Sequence, residues 1–217
     1  MPVTVALAVG FGGSVAHVAA NLTCAPCYVK GVRLLVGFLC AAACARSEPP
    51  PVLGELPDFQ LIDQRGQPFT RGSMRGRVWV ADFVFLGCSE VCPRLTERMK
   101  ALGEQARGRA NLVTFSVDPE NDTPERLAEY ARAYGADPGR WTFVTGPSEE
   151  LERTVVKGFK IAMGRDAAPA AEGKSAMVQI FHGEHFVLVD REGRIRGYYD
   201  SQGEGMEKLL RDLDAVD

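Results

Sequence analysis

The sequence predicts an α/β fold, a mixed sheet flanked by helices and entered through a hairpin, and three observations predict it. Residues 78–86 form a run rich in β-branched and aromatic side chains, of the length and kind of a strand buried on both faces. Gly87 ends the run, Cys88 and Cys92 follow in a short turn, and Pro93 opens a segment in which Leu95, Met99 and Leu102 recur at helical spacing. Beyond it, strand-like and helix-like segments alternate to residue 159, as in a β-α-β array.

Each element has its own signal. Residues 1–46 read as a leader, 47–55 as a linker stiffened by Pro49, Pro50 and Pro51, and 56–217 as the folded domain. Phe59, Leu61 and Phe69 around Gln64-Arg65-Gly66 give the opening hairpin. After the central strand and the Pro93 helix, residues 111–117 read as a second buried strand, and residues 118–124 turn the chain. Thr123 is placed to cap a helix that has Pro124 at its first position and runs to Tyr134. Residues 135–139 end that helix, 141–144 form a short strand, and 148–159 read as one helix. Residues 164–176 carry no usable periodicity and are expected to be a mobile loop. Residues 185–190 and 194–199 flank Arg191-Glu192-Gly193 as a second hairpin, and residues 205–213 close the chain as a helix. A hairpin, a β-α-β-α-β-α array, then an antiparallel hairpin and helix is the thioredoxin-like order, in which thiols at the exit of the first long strand form the active site.

Composition narrows the partners. A net charge of -3 with no basic stripe argues against nucleic acid. Cys24, Cys27, Cys40 and Cys44 lie in the leader, so the domain holds only Cys88 and Cys92. The leader has no charged residue before Lys30; Lys30 and Arg33 then precede ten mostly apolar residues, 34–43, the parts of an export signal. On that reading Val29 is an alternative start. Ala42-Ala43-Cys44 resembles a bacterial lipobox, with Ala41 where a larger aliphatic residue is commoner, and marks Cys44 for lipidation. The competing reading makes residues 3–29 a membrane anchor, against which their Gly, Asn and Pro content counts. Cys24-Ala25-Pro26-Cys27 reads as leader sequence rather than as a redox motif. The expected location is the cell envelope, with the N-terminus at the membrane and the domain in the periplasm or outside the cell.

Cys88 and Cys92 carry the chemistry. A helix N-terminus lowers the pKa of a nearby thiol, so at least one of the pair is expected to be partly thiolate near neutral pH. The spacing permits a disulfide between them, structural or redox-active. It equally leaves both sulfurs able to hold one soft metal ion with a third ligand from elsewhere. His182 and His185 are the domain's only histidines. Residues three apart on a strand point to opposite faces, so one of the two is expected at the site, and the pattern alone leaves open which.

The segments FVFLGCSEVCP (83–93), VDPENDTP (117–124), WTF (141–143), and His182 with LVDREG (188–193) together resemble the Sco/SenC family, in the family's order over about residues 55–215. The resemblance implies a thioredoxin-like protein that binds copper through the two cysteines of a C-x-x-x-C-P motif and one distal histidine. It implies a role in assembling the dinuclear copper centre of cytochrome c oxidase. Carried over, the copper ligands are Cys88, Cys92 and His182, and His185 falls where the family has an apolar residue. The chain departs from the family in having Ser89 for a proline and Phe181 for an aspartate. Two thiolates and one imidazole suit copper, whereas zinc normally takes a fourth ligand. Met163 and Met177 read as gap-filling or surface residues. The implied partners are the copper-centre subunit of the oxidase and other copper carriers or thiol reductants.

The alternative function is a thiol-disulfide oxidoreductase that uses Cys88 and Cys92 as a redox pair to reduce the cysteines of the oxidase copper site. A third class, thiol peroxidase, usually shows P-x-x-x-T-x-x-C, and Ala81 and Phe85 occupy those two positions. The W-C-x-x-C of general reductases is also absent.

Overall fold

The computed structural model describes residues 48–161, 164–167, 178–181 and 184–216 of the chain. In chain order these form β1 (Gly54–Glu55), β2 (Gln60–Asp63), β3 (Pro68–Thr70), a 3₁₀ turn (Arg71–Met74), β4 (Trp79–Val84), α1 (Val91–Ala106), β5 (Asn111–Ser116), α2 (Pro124–Ala133) and β6 (Trp141–Thr145). They continue as α3 (Ser148–Glu152), a π turn (Arg153–Gly158), β7 (Gly164–Ala167), β8 (Val178–Phe181), β9 (His185–Val189), β10 (Arg194–Asp200) and α4 (Glu204–Val216).

Every residue of β4 is buried, as an apolar strand with neighbours on both edges should be. β4 pairs in parallel with β5 through six residue pairs from Trp79↔Asn111 to Val84↔Ser116, and β5 pairs in parallel with β6. On its other edge β4 pairs antiparallel with β9, Ala81 facing Val187. The full order is β1-β10-β9-β4-β5-β6-β2-β3, a mixed sheet. The opening hairpin forms as expected, with Leu61 opposite Phe69 and Gly66 in the left-handed region at φ 72°.

Strand alternation sends side chains to two cores. Trp79, Ala81 and Phe83 join Phe59, Phe69, Phe115, Leu151, Val155 and Phe159 on one face. Val80 and Val84 meet Leu95, Met99, Leu127, Leu209 and Leu213 from α1, α2 and α4 on the other. The single helix expected over 148–159 stops at Glu152 and continues as the π turn, where the Phe159 N–H reaches the Thr154 carbonyl at 2.9 Å. That wider register keeps Leu151, Val155 and Phe159 fully buried against the sheet. The loop expected from residue 164 begins instead as β7, which pairs antiparallel with β8 from Gly164↔Phe181 to Ala167↔Val178. Backbone pairing of two short segments needs no apolar period, so composition did not reveal it. Residues 168–176, the rest of the expected loop, lie outside the described residues.

The central strand also hides a carboxyl. Asp82 is 0% exposed, and neither of its oxygens has a hydrogen-bond partner among the described residues. Burial raises its pKa from the ordinary 3.8 to about 7, against a weak opposite pull from the Thr114 hydroxyl. Because the folded value lies above the unfolded one, the ionisation of Asp82 costs no stability well below pH 3.8, and its full cost is present once the pH passes about 7. That interval is worth about 4 kcal/mol at 1.36 kcal/mol per tenfold change in proton affinity. D82N is neutral throughout, so it is expected to unfold at higher urea than the native chain at pH 8 and to lose most of this advantage at pH 4. Urea titrations at both values check this, and an equal gain at both would show that Asp82 does not titrate in the folded protein.

Candidate functional site

The C-terminal ends of β4 and β5 and the start of β9 lie along one edge of the sheet, because β4 and β5 run parallel and β9 runs against them. Ligands of open α/β sheets collect at that kind of edge. Cys88 stands in the loop after β4, and Cys92 is the second residue of α1, so the helix starts two residues before Pro93 and takes Cys92 into its first turn.

Glu90 is the cap residue of this helix, and its side chain makes no cap hydrogen bond. The sulfur of Cys88 serves instead, accepting the Cys92 N–H at 3.2 Å. Partial burial pushes the Cys88 thiol up, but the N–H and thiol of Cys92 and the N–H groups of Glu90 and Val91 outweigh it and hold Cys88 below the ordinary thiol range. Cys92 is 1% exposed and goes the other way. Burial raises it well above that range despite a hydrogen bond with the Phe85 backbone, and the neighbouring Cys88 and Asp82 push in the same direction. The pair is therefore asymmetric: a half-exposed sulfur that readily becomes thiolate stands beside a buried one that keeps its proton.

Around Cys92 the polar contacts are few and specific. The Thr96 hydroxyl donates to the Cys92 carbonyl at 2.9 Å and lies 2.8 Å from the Tyr130 hydroxyl of α2. Arg98 of α1 donates to Ser201 Oγ at 3.0 Å and pairs with Glu184, just ahead of β9, at 3.9 Å. Both members of that pair are part-exposed, so it guides the chain more than it stabilises it. A cleft of about 570 Å³ lined by Asp58, Arg71, Met74, Trp79 and Gly193 lies at the opposite end of β4, and its lining includes no thiol or histidine.

The structure thus brings Cys88 and Cys92 together as thiols not joined in a disulfide. His182 lies outside the described residues, as do Cys44, Cys24, Cys27, Met163 and Met177. His185 is exposed at the head of β9, opposite Asp200 of β10. Among the described residues no three metal-ligating side chains converge, and no helix is long and apolar enough to cross a membrane. Two residues of this region escaped the sequence reading. Asp82 was legible as a carboxylate inside an apolar run, whereas nothing in VDPENDTP signals that Asp122 turns inward to accept the Leu86 N–H at 3.1 Å.

The family model described as SCO1/SenC matches residues 50–216. A SCO1 protein homolog of Bacillus subtilis is 32% identical over 177 residues, covering 79% of this chain and 88% of its own length. The crystal structure of a SCO1/SenC family lipoprotein from Bacillus anthracis superposes with a TM-score of 0.68 at 30% identity, over 78% of this chain and 99% of that one. ScoI of Bradyrhizobium japonicum with copper bound gives 0.59 at 26%, over 75% and 99%. BsSco, described with a disulfide switch and as a member of the Sco family of cytochrome c oxidase assembly proteins, gives 0.62 at 28%, over 78% and 98%. These neighbours share the thioredoxin-like sheet.

The asymmetry of the thiols sets an order of reactivity. Iodoacetamide at pH 7 is expected to modify Cys88 at least tenfold faster than Cys92 in the reduced native protein, and peptide mass mapping of a time course reads the ratio. Equal rates, or Cys92 reacting first, would contradict the assigned environments.

Proposed function

The chain belongs to the SCO1/SenC family, and on that premise we propose that it is a copper metallochaperone that delivers copper to the dinuclear site of cytochrome c oxidase. The observation that carries the reading is the dithiol itself, two thiols outside any disulfide at the sheet edge with Cys88 held at the first turn of α1. The donor set fits the cargo. Two sulfurs and one imidazole are soft, low-coordinate ligands that favour copper over hard cations. Cys88, Cys92 and His182 are the proposed ligands, with His182 as the third donor and His185 outside the set.

The geometry supports a division of labour. Cys88 offers a ready thiolate at the surface, where incoming copper is met first. Cys92 then gives up its proton as the second sulfur bond forms, so copper capture releases a proton and weakens as the pH falls. Handing the ion on reverses these steps, with a partner thiol taking the place of one ligand.

A second reading has its own support. The same asymmetry suits thiol-disulfide exchange, in which the Cys88 thiolate attacks a partner disulfide and Cys92 resolves the mixed disulfide, releasing the reduced partner and leaving Cys88–Cys92 oxidised. On either reading the oxidase copper-centre subunit is the proposed partner. Copper carriers or thiol reductants are the proposed suppliers. The export-type leader and the likeness to a lipoprotein support a domain outside the cytoplasm, anchored through a lipidated Cys44.

Metal analysis of the reduced protein separates the readings. One Cu(I) per chain is expected, with C88S or C92S weakening binding at least a hundredfold, H182A about tenfold, and H185A less than threefold. Full-strength copper binding by C88S, or tight binding that no histidine variant alters, would overturn the ligand set. A reduction potential that changes in H182A while copper affinity does not would leave the oxidoreductase.

A further inference from the structure

Asp122 belongs to the loop between β5 and α2, yet it is 0% exposed. Its Oδ2 accepts two hydrogen bonds, from the Ser116 hydroxyl at 2.7 Å and from the Leu86 N–H at 3.1 Å. The second bond crosses between loops, since Leu86 lies in the segment after β4, two residues before Cys88. There the Cys88 N–H donates to the Phe85 carbonyl at 3.2 Å, closing a turn in which Leu86 is the second residue and its N–H is not used by the turn's own bond. Asp122 takes that N–H from outside.

The loop that carries Asp122 is itself braced. The Asp122 N–H donates to the Asp118 carbonyl at 2.9 Å, the Asp118 N–H to Ser116 Oγ at 3.1 Å, and the Asn121 side chain to Asp118 Oδ2 at 2.8 Å. Thr123 then caps α2 through the Arg126 N–H. The other Asp122 oxygen, Oδ1, is buried with no hydrogen-bond partner among the described residues. A buried carboxyl with one oxygen unpaired costs stability, so stability alone does not account for it. What it uniquely supplies is a fixed strut between the braced loop and the cysteine turn.

We propose that Asp122 is a positioning residue of the dithiol site: it fixes the turn from Phe85 to Cys88, and so holds the Cys88 sulfur over the first turn of α1 ready for copper. The inference rests on the reading of Cys88 and Cys92 as copper ligands and adds the residue that presets their geometry. A turn held in advance does not have to be ordered when the ion arrives, which is how preorganisation strengthens binding.

The test uses the native chain, D122A, D122N, L86P and L209A, each reduced and metal-free at the start. In D122N the amide oxygen, standing where Oδ2 stands, keeps the acceptor for both the Leu86 N–H and the Ser116 hydroxyl, and the amide nitrogen takes the place of Oδ1. L86P removes the donor in place of the acceptor, at a turn position that proline favours, and stands in should D122A fail to fold. L209A destabilises α4, away from the cysteine turn. In D122A, hydrogen exchange is expected to be at least tenfold faster at the Leu86, Cys88 and Cys92 amides, and competition with a Cu(I) chelator is expected to show at least tenfold weaker binding. L86P should show the same effects at Cys88 and Cys92 and in copper binding, while D122N and L209A stay within threefold of native in both readouts. Native-like exchange in D122A, native-like copper affinity despite faster exchange, or equal effects in L209A would each overturn the inference. If C88S binds Cu(I) as tightly as the native chain, it is the copper reading that fails, and the metal-free exchange data still score the strut.

Discussion

The parallel pairing of β4 with β5 is the constraint on which the site depends. Its six aligned residue pairs force both strands to end at the same edge, so the loops that leave them, one bearing Cys88 and the other Asp122, emerge side by side. The antiparallel partner β9 begins at that edge, which brings Glu184 and His185 to the same side of the sheet as the thiols. Such convergence follows from strand direction alone. Neither loop needs structure of its own to find the other, and the Asp122 to Leu86 bond locks a proximity that the sheet has already created.

The electrostatics of the site follow from where the sheet places each group. Cys88 lies half in solvent at a helix start, and backbone N–H groups favour its thiolate. Cys92, four residues later, is carried by α1 into the apolar layer formed with β4, α2 and α4, where a charge is poorly solvated. The two sulfurs share a neighbourhood and differ in proton affinity because one faces N–H donors and water while the other faces hydrocarbon. Asp82 adds to that contrast from beneath, as a carboxyl that would rather be neutral and sits close enough to oppose a second negative charge.

Part of the polar burial in this domain lies near the working edge: Asp82, Thr96, Ser116, Asp118 and Asp122 are buried on β4, α1, β5 or the loop that follows β5, while Asp63, Thr154 and Asp190 are buried elsewhere. Groups of this kind weaken a domain unless they are fully paired, yet among the described residues Asp82 lacks hydrogen-bond partners for both oxygens and Asp122 for one. A core selected for stability alone would fill these positions with apolar side chains, as β4 does at Val80 and Val84. The opposite core, built around Phe83, Phe115 and Phe159, carries the packing: Phe115 lies 5.0 Å from Phe159 and 5.7 Å from Phe83 between ring centroids.

Much of this was legible in the sequence because local physics writes it there. The apolar run of β4, the Thr123 cap with Pro124 after it, the Gly66 turn and the two thiols beside a helix start each depend on residues a few positions apart, and each forms as its spacing requires. The family resemblance added the proposed copper ligand set. Tertiary structure decided the rest, since it depends on residues far apart in the chain. Leu86 and Asp122 are 36 residues apart and meet only because β4 and β5 align. Asp82 becomes a carboxyl titrating near neutrality only once a sheet and three helices have excluded water from it. The sequence by itself marked Cys88 and Cys92 as the groups proposed to carry the chemistry; the difference in proton affinity between them, and the proposed strut that holds their turn, arise only when strand pairing sets one sulfur in the core and leaves the other at its edge.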